Sequence, residues 1–133
     1  LNWMGEISAK EDDRGVAGID LKFSGTAAFV DGARILSLAS GVTATNTVER
    51  LQAAGVAKGI AEGEINAWAD AFEYLQFLRL RTQHRRASGL LPASESLNLV
   101  PLDDLSELDR RILKEALRQC RELQQRLEVD YPG

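Results

Sequence analysis

The stretch AEGEINAWADAFEYLQFLRLRTQHRR, residues 61–86, decides the fold. Ile65, Trp68, Phe72, Leu75 and Leu78 recur at spacings of three and four. That period places side chains on one face of an α-helix. It predicts a helix from about Ala61 to Arg86 with this stripe buried. Ala69 and Ala71 are small enough to let a neighbouring helix approach. Trp68, Phe72 and Tyr74 read as core packing rather than as a platform for stacking a ligand.

Towards the N-terminus, a second helix is expected to start at Asn46. Asn46 and Glu49 have the spacing of a capping box, in which each side chain bonds the other's backbone N–H. Val48, Leu51 and Gly55 share one side, and Gly55 and Gly59 keep this helix short. A first helix is expected from about Ala27 to Ser40. Its stripe is Phe29, Ala33 and Leu36, widened by Ile35, Leu38 and Ala39. Gly41 is a natural stop, because glycine accepts the left-handed conformation at a helix end.

Towards the C-terminus, residues 87–104 read as a loop carrying Pro92 and Pro101. Ser106 and Asp109 form a second capping signal and open a fourth helix. Leu108, Ile112, Ala116, Cys120, Leu123 and Leu127 mark its apolar stripe, and Pro132 follows its end. Residues 1–25 are the least regular. Glu11-Asp12-Asp13-Arg14-Gly15 is a polar turn. Gly18-Ile19-Asp20-Leu21-Lys22-Phe23 alternates like a short extended segment. Nothing reads as a sheet. The expectation is an all-α fold, an antiparallel bundle of four main helices with a short irregular or extended N-terminal segment. It is a single domain over 1–133, with a boundary segment at 1–25 and the helical bundle at 26–130.

Composition narrows the function. The 133 residues suit one domain, and 44% apolar content suffices for one core. A net charge of −4 argues against general nucleic-acid binding, which needs a basic face. The lone Cys120 excludes an internal disulfide and fits a reducing, cytoplasmic compartment. The lone His84 excludes a His-rich metal site. No apolar run approaches the roughly 18–20 residues of a membrane span, and no signal peptide is visible. The chain opens at Leu1, so it is expected to be a piece of a longer polypeptide.

No Walker A loop, zinc-ligand pair or Ser-His-Asp arrangement is present. Asp12-Asp13 and Asp103-Asp104 suit turns and caps. The Asp-x-Asp pair that would hold Mg²⁺ for nucleotidyl transfer is missing. Asp20, Lys22, Asp31 and Arg34 flank the entry to the first helix. They form either a surface ion pair, Asp31 with Arg34, or a polar pocket aimed at an anion. Thr45, Thr47, Glu49 and Arg50 cluster at the start of the second helix, where free N–H groups favour anions. Capping accounts for Asn46 and Glu49 but not for Arg50. Arg79, Arg81, His84, Arg85 and Arg86 crowd the end of the third helix. There they complement the helix dipole or contact phosphate. Arg79 and His84 also enclose four residues, the spacing of an Arg-x4-His pair in certain helical-bundle ribonucleases, a pattern short enough to arise by chance. Cys120 falls on an apolar stripe as a small core residue.

These segments come in a recognisable order. Ile19-Asp20-Leu21-Lys22 precedes Gly25. Val30-Asp31-Gly32-Ala33-Arg34 and Gly41-Val42 follow, then Thr45-Asn46-Thr47-Val48-Glu49-Arg50-Leu51. Later come Ala71-Phe72, Leu75, Leu78-Arg79-Leu80-Arg81 with Gln83, Asn98 with Pro101, Leu105-Ser106, Arg110, Leu113-Lys114 and Ala116. Together they resemble the nucleotidyltransferase substrate-binding domain family over about residues 18–128. Thr82-Gln83-His84 departs from the more usual order in which His precedes Gln, and Gly63 is a poor helix former.

The resemblance implies a non-catalytic, substrate-binding or accessory domain of a bacterial signal-transduction nucleotidyltransferase. It further implies an upstream catalytic domain similar to that of protein-PII uridylyltransferases, with CBS and cyclic-nucleotide-binding domains. Mg²⁺ and a nucleoside triphosphate are then expected in the linked domain and no cofactor in this one. The implied substrate-binding residues are Asp20, Lys22, Asp31, Arg34, Thr45, Thr47, Glu49, Arg50, Arg79, Arg81 and Gln83. The partners are the linked domain and a protein or nucleotide substrate, without a membrane. The rival readings are a docking or dimerisation domain with no ligand of its own, and a stand-alone helical ribonuclease.

Overall fold

The computed structural model describes residues 10–11, 17–21, 25–44, 46–94 and 98–131. Four helices dominate: α1 (Ala27–Ser40), α2 (Thr47–Ala57), α3 (Glu62–Ala87) and α4 (Glu107–Asp130). This is the helical bundle that the periodicity predicts, with ends within a residue or two of expectation. Three short strands are also present: β1 (Lys10–Glu11), β2 (Ala17–Asp20) and β3 (Leu99–Pro101). They form an antiparallel sheet in the order β1-β2-β3, with Gly18 opposite Pro101, Ile19 opposite Val100 and Asp20 opposite Leu99.

The sheet corrects the expectation that no strand pairing occurs. It also corrects the reading of 87–104 as loop throughout, since β3 runs directly into a 3-10 turn at Leu102–Asp104. The strands are too short to show a period, and β2 and β3 are joined only by long-range pairing. Pro101 is tolerated because β3 is an edge strand and Pro101 ends it. Leu21 extends the ladder, donating its N–H to the Asn98 carbonyl at 3.0 Å.

The helix ends follow local chemistry. Gly41 closes α1 at φ 69° and donates its N–H to Ser37 O. Asn46 caps α2, accepting from the Glu49 N–H at 2.8 Å. Only that half of the expected box forms. Ser106 and Asp109 make both halves at α4, each bond 3.0 Å long.

Phe29, Leu36, Leu51, Trp68, Leu75, Leu78, Leu113 and Leu123 are all buried, with Ile19 and Leu21 closing the core from the sheet side. Phe29 and Phe72 meet edge to face, with ring centroids 6.0 Å apart. The stripe on α3 is buried as read. On α1, however, Ile35, Leu38 and Ala39 are exposed, so the stripe is only as wide as Phe29, Ala33 and Leu36. On α4, Leu108 and Ile112 are exposed, while Leu113 and Leu117 are buried. That helix carries apolar residues along two adjacent rows, and packing against α3 and α1 selects the row that includes Ala116, Cys120 and Leu123.

Two glycines of the family-like pattern are explained by packing. A Cβ at Gly25 would sit 2.6 Å from Leu75 Cδ1 and 3.2 Å from Leu117 Cδ2. A Cβ at Gly32 would sit 2.9 Å from Leu123 Cδ2, so α1 and α4 touch there through a bare backbone. Cys120 lies in the same region and donates its thiol to Gly25 O at 3.7 Å. Burial pushes that thiol up to about 11, so it is protonated at neutral pH and acts as a core residue.

Phe72 joins α3 to α1 and is only 8% exposed. Phe72→Ala should cost about 3–5 kcal/mol, through lost transfer energy and a cavity beside Phe29. Chemical denaturation with an unchanged m-value checks this, and a loss below about 1 kcal/mol would contradict the packing.

Candidate functional site

The segment from Asn98 to Asp109 crosses the end of α3, and its non-helical carbonyls and its carboxylates need partners. Arginines supply them. Arg79 Nε donates to Asn98 Oδ1 at 2.6 Å, and its Nη1 to Gln76 Oε1 at 3.3 Å. Arg86 Nη2 donates to Leu99 O at 2.6 Å. Arg85 Nη2 pairs with Asp104 Oδ1 at 2.8 Å. From α4, Arg110 Nη2 donates to Leu102 O at 3.1 Å. The basic end of α3, which the sequence left open between dipole complement and phosphate site, is therefore mainly a brace for the chain that crosses it.

Arg81 is the strongest member. It grips Asp109 with both nitrogens, Nη1 to Oδ1 at 3.2 Å and Nη2 to Oδ2 at 2.9 Å. The pair is largely shielded, with side chains 27% and 16% exposed. The Arg81 fork holds the Asp109 carboxyl below the usual carboxylate range, opposed by partial burial and helped by the Ser106 N–H. Tyr74 donates its hydroxyl to Asp109 O at 3.3 Å. Burial first, and the Asp109 charge second, push the Tyr74 phenol up to about 12.

The residues that the sequence singled out are divided by the structure. Lys22 and Thr45 lie outside the described residues. Asp20 sits in β2 opposite Leu99. Asp31 and Arg34 form the i,i+3 pair, at 2.6 Å and more than half exposed, which is the surface form of that contact. Arg50 Nε donates to Ala44 O at 2.9 Å and so closes the α1–α2 link. That contact is the role capping did not provide. Thr47 and Glu49 stand at the start of α2, away from Asp31 in the second turn of α1. Asp31 and Glu49 therefore stay apart, because a short link sets the start of α2 beside the end of α1. Gln83 is half-buried on α3. His84 is exposed and lies about 140° around the helix axis from Arg79, so the two do not share a face.

One concavity gathers candidates from separate segments. It has a volume of about 280 Å³ and is lined by Thr26, Ala27, Val30 and Asp31 of the α1 end, and by Gln76 and Arg79 of α3. Sequence reasoning named Asp31 and Arg79 but missed Gln76, whose spacing three before Arg79 is the only signal that could have found it. Arg34 borders the concavity through its pair with Asp31. Among the described residues, no three His, Cys, Asp or Glu side chains are grouped so as to hold a metal ion.

The Asp109 brace makes a pH prediction. Its folded pKa is depressed, so its stabilisation is complete above the ordinary aspartate value near 3.8 and fades as pH falls through the lower folded value. The hydrogen bonds to Asp109 push Arg81 above its ordinary value, so it stays charged throughout that range. Asp109→Asn should therefore lose about 1–3 kcal/mol at pH 7 and markedly less near pH 3. Urea melts at both pH values test this, and an equal loss at both would contradict it.

The comparisons follow the geometry. Residues 1–131 match the family described as "Putative nucleotidyltransferase substrate binding domain". No curated protein and no solved structure matches the chain. The match takes in all four helices, the sheet and the concavity. The chain belongs to the nucleotidyltransferase substrate-binding domain family.

Proposed function

We propose that this domain holds an anionic, phosphate-bearing part of a nucleotidyltransferase's substrate in the concavity between α1 and α3. A linked catalytic domain would carry Mg²⁺ and the chemistry. The supporting observation is that Asp31 and Arg79, from two distant family-like motifs, line the same concavity. Arg79 has its Nε and Nη1 held by Asn98 and Gln76, which fixes the guanidinium plane. A fixed fork that keeps a further nitrogen for a ligand suits phosphate, because little side-chain freedom is lost on binding. Gln76 adds an amide, and Arg34 adds a second cation whose charge Asp31 tempers. Lys22 and Asp20 belong to the segment that leads towards this end of α1. Thr45, Thr47 and Glu49 would face a second part of the substrate or the neighbouring domain, while Arg50, Arg81 and Gln83 support the fold.

The finer setting is part of the same proposal: a bacterial signalling protein in the cytoplasm, with a uridylyltransferase-like catalytic domain and CBS and cyclic-nucleotide-binding domains upstream. No helix among the described residues is long and apolar enough to cross a membrane. The docking reading gains one specific support, since Arg50, Arg81, Arg85 and Arg86 are already engaged within the chain. The separation of Arg79 from His84 gives the ribonuclease reading no composite site.

Titration of the chain with a nucleoside triphosphate and Mg²⁺, followed by NMR, tests the proposal. Shifts should saturate and centre on Thr26, Val30, Asp31, Gln76 and Arg79. Arg79→Gln should weaken binding about tenfold, the size of one lost charge-assisted bond. Asp31→Asn should tighten it by about two- to threefold, since a carboxylate beside the anion is removed. The chain alone should transfer no label from the triphosphate. No saturable binding, or weaker binding by Asp31→Asn, would overturn the assignment.

A further inference from the structure

We propose that the outward face of α3 is a self-association surface on which a second copy of this chain docks antiparallel, with Phe77 of each copy against Leu80 of the other. This face is separate from the concavity and does not rest on the function proposed for it. Asn66, Asp70, Glu73, Phe77, Leu80, His84 and Ala87 are all exposed. They recur by steps of four and three, as one face of a straight helix does, and the two large apolar residues stand next to each other at its centre. At the centre, Phe77 is 55% and Leu80 65% exposed. On α4, Leu108 is 64% exposed, and Ile112 borders Asp70 and Tyr74 of α3. Tyr74 ties the two helices together through its bond to Asp109 O.

Charge selects the occupant. The seam is acidic before its apolar centre, at Asp70 and Glu73, and carries no acid after it, where the imidazole of His84 stands between Arg81 and Arg85, each already paired within the chain. The side chains of Asp70, Glu73 and His84 make no ion pair or hydrogen bond among the described residues. A second α3 laid antiparallel with Phe77 opposite Leu80 puts Glu73 opposite His84 and Asp70 opposite Ala87. Every seam position from Asp70 to Ala87 then finds a partner, and the contact repeats on both sides of a two-fold axis. A parallel second copy would set Glu73 on Glu73 and Asp70 on Asp70, which is repulsive. Arg81 already lies 5.8 Å from the Phe77 ring centroid, and that cation stiffens the central side chain of the seam.

Sedimentation equilibrium of the chain at about 0.1 mM tests this, a concentration that saturates a micromolar interface. The expected species is a dimer. Phe77→Asp should give a monomer with unchanged helical circular dichroism, and its thermal midpoint should equal the parent's only at a dilution where both are monomeric, because Phe77 is not in the core. Glu73→Lys and His84→Glu should each weaken the dimer by about tenfold, and the two together should restore it, because the pair is then reversed. A monomeric parent chain, a dimer that survives Phe77→Asp, or failure of the double variant to recover would each overturn the proposal. The first would leave this face to a linked domain.

Discussion

The fold depends on the segment from Asn98 to Asp109, whose Leu99, Val100 and Leu105 are buried, having its carbonyls and carboxylates held against the end of α3 by guanidinium groups. Without that brace β3 would have no fixed place, β2 would lose one of its two partners, and α4 would start at an undefined angle. Hydrophobic burial alone could not supply this constraint, because it is non-directional and the segment's carbonyls must be matched one by one. Arginine suits the task better than lysine. Its planar fork can hold a carboxylate with two bonds, as Arg81 holds Asp109, and still lie along an apolar stem. The same contact explains why α4 begins with a complete capping box. Asp109 serves the Ser106 N–H and Arg81 at once, so the helix start and the brace are one structure.

The helices were legible because their signals are local. Ile65 to Leu78 carry the period of α3, Gly41 ends α1, and Asn46 and Ser106 mark the next starts. The sheet was not legible, since three residues of β3 pair with a strand some 80 positions earlier and neither shows a period. The buried face of α4 was misread for a different reason. Leu108 and Ile112 extend the same helical spacing as Ala116 and Cys120, and only the position of α1 and α3 decides where the core begins. The candidate site was legible in part. Asp31 and Arg79 were marked by their charge and by the motifs around them. Gln76 was not, because an amide in a helix carries no distinguishing pattern. The basic cluster was visible, but its partners are backbone carbonyls and carboxylates on another segment, which composition cannot reveal.

The family pattern itself mixes two kinds of residue. Gly25 and Gly32 are places where a Cβ would strike a leucine of a neighbouring helix. Arg50 and Arg81 close a link and a brace. These keep the bundle in shape and would do so whatever the domain binds. Asp31, Arg34 and Glu49 are different, since they are exposed and contribute little to the fold through their contacts. A motif read as one functional signature therefore separates into a structural part and a smaller part that faces outward.

That separation bears on how one helix can serve two ends. Around α3, the core row runs through Ile65, Trp68, Phe72, Leu75 and Leu78. Gln76 and Arg79 lie to one side of it, towards α1 and the concavity. Phe77, Leu80 and His84 lie on the side away from the core. A regular helix keeps these rows apart along its whole length, because each residue advances by a fixed angle. A substrate in the concavity and a second copy on the outer seam would therefore not compete for the same side chains. They would remain mechanically connected, since Arg79 and Arg81 are two residues apart and both are tied to the segment between Asn98 and Asp109. Any movement of that segment would be felt by the guanidinium of Arg79 at the concavity and by that of Arg81 packed on Phe77.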